Sequence, residues 1–91
     1  MPSLFLSLKS EYFDAIRDGS KLEEYREVNE YWTKRIVDRE YDTIVLTKGY
    51  PKRDDMSRRI IKPWRGYSIK KITHPLFGIQ EITVFAIDVS G

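Results

Sequence analysis

Three apolar residues stand in a row at Ile44, Val45 and Leu46, inside a stretch from Tyr41 to Lys48 that reads as a β-strand. Successive side chains of a strand point to opposite faces, so an unbroken apolar run needs cover on both sides. A chain of 91 residues has material for a single packed interior. The strand is therefore predicted to run through the middle of one domain, 1–91, with other elements layered over it.

Those elements can be placed by period and punctuation. Leu4 to Lys9 alternates apolar and polar, a half-buried strand. Ser10 reads as an N-cap, Phe13 and Ile16 share a helical face, and Gly19 suits the left-handed position that ends a helix. Lys21 to Val28 follows as a second strand. Asn29 is placed to cap a short helix whose Trp32 and Ile36 lie four apart. Beyond the central strand, residues 49–55 carry loop chemistry. Arg58 to Ile61 and Tyr67 to Thr73 are predicted strands, broken by Pro63 and Gly66. His74-Pro75 and Gly78 mark a further loop, and Glu81 to Val89 is the last strand. The predicted fold is α+β: about five to six strands curling into a partly closed mixed barrel, flanked by two short helices.

Composition removes several classes of function. With no cysteine and one histidine, His74, the chain has no thiolate metal site, no disulfide framework and no His-based triad with a partner. Neither a metal nor a cofactor is expected. Asp54-Asp55 is the nearest carboxylate cluster and reads as a turn. A glycine-rich phosphate loop is absent. No apolar run approaches the ~20 residues of a spanning helix. The first nine residues lack a basic start and turn charged early, unlike a signal peptide. The expectation is a cytoplasmic protein without a membrane partner.

The second strand breaks its own pattern. Leu22 and Val28 share a face with Glu24 and Arg26, while Tyr25 stands among Lys21, Glu23 and Glu27. If the first face looks inward, a carboxylate and a guanidinium sit on the core side. Burying them is costly unless they pair and their other hydrogen bonds are met. Positions that violate the local pattern are where functional residues concentrate. Two plainer readings stand beside this one. Tyr25 is then the sole inward anchor of an edge strand, or Glu24 and Arg26 form a purely structural ion pair. Lys21 and Glu24 differ in parity, so they meet only if Lys21 precedes the strand or a bulge intervenes.

Gly19-Ser20-Lys21-Leu22-Glu23-Glu24-Tyr25-Arg26 resembles the signature of the ASCH family, G-x-K-x-x-E-x-R, at all four fixed positions. The order of strand, helix and motif-bearing strand is similar as well. The resemblance implies a PUA-like barrel and a cleft lined by Lys21, Glu24 and Arg26 that takes RNA or a nucleoside. The chain is short for that family. One branch of the family hydrolyses acetylated cytidine with the motif lysine and a threonine nucleophile, and Glu24 stands here at the threonine's position. Another relative is a metal-dependent ribonuclease, a chemistry for which this chain offers no clear ligand cluster.

The residues themselves permit two kinds of work. In binding, the arginine forks onto phosphate or a base edge, the lysine supplies a point charge, and the glutamate accepts from amino groups. In catalysis, Lys21 beside Glu24 acts as a general base and Arg26 steadies an oxyanion. A second signal is the stretch 48–71, which carries +7 against −5 for the rest of the chain. Its Lys48, Lys52, Arg53, Arg58, Arg59, Lys62 and Arg65 are candidate phosphate contacts. Trp64 and Tyr67 interleave with them as candidate stacking surfaces, although Trp64 fits a core position equally well. The leading expectation is a module that binds RNA or a modified nucleoside. A small hydrolase of such a ligand and a protein-interaction domain with a basic face are the alternatives.

Overall fold

The computed structural model describes residues 2–74 and 78–91. Its elements run β1 (Ser3–Leu8), α1 (Ser10–Asp18), β2 (Glu23–Glu27), α2 (Glu30–Ile36), β3 (Thr43–Lys48), a 3-10 turn (Met56–Arg58), β4 (Arg59–Pro63), β5 (Tyr67–His74) and β6 (Gly78–Asp88). The α+β expectation and the two short helices stand. Part of the expected loop, at Pro75, lies outside the described residues.

The strands form two three-stranded sheets, ordered β1-β3-β4 and β2-β6-β5. This corrects the expected partly closed barrel. β1 pairs parallel with β3, and β2 pairs antiparallel with β6, but β1 and β2 share no ladder. The Arg26 side chain reaches across instead, Nη2 donating to the Ser7 carbonyl at 3.0 Å. A side-chain hydrogen bond thus links two sheets that share no ladder.

Both sheets feed one core. Leu4, Leu6, Leu8, Ile44 and Leu46 from the first sheet meet Phe85, Ile87 and Val89 from the second segment of the chain, with Phe13, Ile16 and Ile36 from the helices. Each fully buried side chain of this kind contributes about 1.5–3 kcal/mol. Ile44, Val45 and Leu46 are all buried, as the central-strand reading requires. The register explains it: Val45 lies between Phe5 and Ile61 on the outer face, while its neighbours face the core.

Local signals hold at two helix ends and fail at a third. Gly19 adopts φ 86°, and its N–H closes on the Ile16 carbonyl. The Asn29 side chain accepts from the Trp32 N–H. Ser10, expected as an N-cap, is instead the first helical residue. The Lys9 carbonyl already accepts from the N–H groups of Tyr12 and Phe13, which moves the cap one position back. Pro63 does not stop β4 early. It ends that strand opposite Thr43 on a sheet edge, where a missing N–H is tolerated.

Candidate functional site

β2 begins at Glu23, because the chain leaving α1 is tied down first. The Lys21 N–H donates to the Ala15 carbonyl, and the Ser20 N–H to Asp18 Oδ1. Lys21 thus precedes the strand and is free of its alternation. Its Nζ lies 3.6 Å from Glu24 Oε1, while Arg26 Nη2 lies 2.9 Å from Glu24 Oε2. The three charged residues of the motif form one row with Glu24 in the middle.

Glu24 is 6% exposed, the one charged residue among the buried side chains of the described chain. In the β2–β6 ladder Glu24 stands opposite Ile87 and Arg26 opposite Phe85, so both face the interior side of the second sheet. Two cations on one buried carboxylate meet the pairing that such burial demands. Lys21 also lies over the rings of Tyr25 at 4.8 Å and Tyr12 at 5.4 Å. Burial pushes the Tyr12 hydroxyl above its ordinary value, with the charges of Glu11 and Glu24 adding to the shift.

The far side of Arg26 opens into a cleft of about 460 Å³. Four aromatic side chains from three parts of the chain border it: Phe5 on β1, Tyr31 and Trp32 on α2, and Tyr50 after β3. The Arg26 guanidinium lies over the Trp32 ring at 4.9 Å, and Tyr31 meets Trp32 edge-on. A second arginine, Arg59, enters from β4. Its Nη2 donates to the Lys52 carbonyl at 3.1 Å, which holds the loop after β3 against the cleft. The Nε atoms of Arg26 and Arg59 are both buried without a hydrogen-bond partner. Among the described residues, the hydrogen bonds that each guanidinium makes run through Nη2, and both side chains line the cleft.

Lys21 does not line this cleft. Lys21 lines a separate one with Ser20, Leu22, Glu23, Tyr25, Asp88 and Ser90. There Glu23 is held below its ordinary value by the hydrogen bonds from Lys70, against an opposing effect of burial, and the Tyr25 hydroxyl adds a further bond. Burial, then that bond to Glu23, pushes Tyr25 up.

The basic stretch is divided by the fold, because β4 belongs to one sheet and β5 to the other. Arg59 reaches the aromatic cleft, and Lys48 and Arg58 line a neighbouring hollow. Lys52 and Arg53 are exposed on the loop. Lys62 donates to the Gly91 carbonyl, Arg65 pairs with Asp88, and Lys70 pairs with Glu23. Trp64 packs against the core and meets Tyr41 edge-on at 5.4 Å. Tyr67 meets Phe85 in the same way. Asp55 caps a turn, accepting from the Ser57 hydroxyl and pairing with Arg58. Among the described residues no group of three or more possible metal ligands comes together.

Phe5, Tyr31, Trp32 and Tyr50 were not legible as site residues. Phe5 alone left a signal, as a large aromatic between Ser3 and Ser7 on the polar face of its strand. No family model, curated protein or solved structure matches the chain.

Proposed function

We propose that the protein binds RNA or a nucleoside in the aromatic cleft, as a PUA-like module of the ASCH type. The observation that carries this reading is the convergence of two arginines and four aromatic side chains on one cleft of about 460 Å³. Aromatic faces take bases by stacking, at about 1–3 kcal/mol per base, and guanidinium edges take phosphate or base acceptors. Arg26 contacts the ligand in this reading. Glu24 is a positioning residue that fixes the Arg26 fork, and Lys21 completes the neutralisation of Glu24. Turnover is not part of the proposal, since Lys21 is engaged by Glu24 and opens onto a different hollow.

Titration with labelled single-stranded RNA, duplex RNA and a set of nucleosides, at two salt concentrations, tests the reading. Binding is expected to weaken by about tenfold or more in Arg26→Ala and in Tyr31→Ala. RNA affinity is expected to fall with salt at about 0.7 log units per phosphate contact per log unit of salt. Absence of binding to every ligand, or binding indifferent to both substitutions, would overturn it.

A further inference from the structure

The aromatic cleft has a neighbour. A hollow of about 480 Å³ is lined by Ser7, Leu8, Lys9, Ser10, Lys48, Gly49 and Arg58. Ser7 and Gly49 border both. They form a ridge, because the Ser7 hydroxyl donates to the Gly49 carbonyl at 2.9 Å and the Gly49 N–H donates to the Leu8 carbonyl at 2.9 Å. The Thr47 hydroxyl donates to the same Gly49 carbonyl, which holds the ridge from the cleft side. Gly49 has φ 64°, and a Cβ placed there would meet nothing within 4 Å, so the ridge is low and open above. It is two adjacent strand ends wide, with backbones about 4.8 Å apart.

The two hollows differ in chemistry. The cleft side is ringed by four aromatic side chains, with the guanidinium groups of Arg26 and Arg59 beside them. The other side carries three cations, Lys9, Lys48 and Arg58, a hydroxyl at Ser10, and no carboxylate in its lining. Lys48 is held by Asp14 at 2.8 Å and Arg58 by Asp55 at 3.5 Å, both from outside the lining. Lys9 has no ion-pair partner among the described residues and is exposed. A planar group with acceptor edges, such as a base, suits the first hollow, and a compact anion suits the second.

We infer that the ligand is a phosphorylated nucleoside whose base enters the aromatic cleft, whose ribose straddles the Ser7–Gly49 ridge, and whose phosphate lies among Lys9, Lys48 and Arg58. This rests on the proposed function and narrows it from nucleosides in general to nucleotides. The phosphate belongs to a free mononucleotide or to an RNA backbone, which share the same chemistry at this ridge.

The test compares a nucleoside, its 5′- and 3′-monophosphates and a dinucleotide, measured calorimetrically against the wild type and the double variant Lys9→Ala/Arg58→Ala. One phosphorylated form is expected to bind the wild type about tenfold more tightly than the nucleoside. That ratio is expected to fall toward one in the double variant and further in Lys9→Glu, with unfolding midpoints unchanged. A gain confined to the dinucleotide places the phosphate in an RNA backbone. A gain with the monophosphate places it on a free nucleotide. Equal binding of nucleoside and every phosphorylated form overturns this inference and leaves the cleft reading standing. A ratio that survives both variants overturns it as well. Failure of all four ligands to bind overturns both.

Discussion

Glu24 and Arg26 stand two residues apart on β2 and meet at 2.9 Å, Glu24 Oε2 to Arg26 Nη2, with the carboxylate buried behind the guanidinium. The same Nη2 reaches the Ser7 carbonyl on the other sheet. One side chain thus satisfies a buried charge, bridges two sheets that share no ladder there, and lines the cleft. Stability and the shape of the cleft are coupled at this residue for that reason.

Removing the carboxylate separates the two roles. Glu24→Ala leaves Lys21 and Arg26 without their shared partner in a mostly covered site, and is expected to cost about 2–3 kcal/mol. Glu24→Gln keeps an acceptor for Arg26 and is expected to cost less. Urea unfolding of both variants measures this. Equal losses would show that charge alone, not the Arg26 hydrogen bond, is what the site requires.

Phe5 offers the opposite case, a cleft wall with little part in the core. It is 66% exposed, whereas its neighbour Leu6 is 1% exposed. Phe5→Ala is expected to change stability by no more than about 0.5 kcal/mol, while Leu6→Ala costs about 2–5 kcal/mol. Nucleoside affinity is expected to fall in Phe5→Ala. A variant that binds as the wild type does would remove Phe5 from the site.

The outer face of the second sheet predicts a pH dependence. Lys70 Nζ lies 2.8 Å from both Glu23 oxygens and holds that carboxyl below its ordinary value of 4.5. A depressed folded value favours the folded state once the unfolded carboxyl is ionised. Its contribution is therefore fully present above about 4.5 and is lost as pH falls through the lower folded value. Asp18, Asp55 and Asp88 are shifted in the same direction and add to the acid loss. In Lys70→Ala the fall in stability below pH 4.5 is expected to be shallower than in the wild type. Superimposable acid-unfolding curves would contradict this.

Two helix ends give purely local predictions. Gly19→Ala forces a Cβ into φ 86° although the space around it is open, so its cost is conformational, about 1 kcal/mol. Asn29→Ala deprives the Trp32 N–H of its acceptor and is expected to cost about 1 kcal/mol. Because α2 carries Tyr31 and Trp32, loosening its first turn is also expected to weaken ligand binding, which Gly19→Ala should affect less. Chemical denaturation and ligand titration of the two variants check both halves.

What the sequence determined by itself is what short-range physics encodes. Alternation put Glu24 and Arg26 on one face of β2. Three consecutive apolar residues placed β3 in the middle of its sheet, with Ile44 and Leu46 in the core and Val45 between Phe5 and Ile61 on the outer face. The stereochemistry of glycine and the reach of an Asn side chain marked two helix ends. Each of these depends on residues within one or two turns of chain. Tertiary structure decided the rest. Whether six strands close into a ring or divide into two sheets depends on which distant backbones pair, and alternation says only which face a residue occupies. The same long-range register brings Phe5, Arg26, Tyr31, Trp32, Tyr50 and Arg59 to one cleft. It also scatters the basic run at 48–71 over two sheets, because a run that spans several elements stays together only when those elements pair with one another.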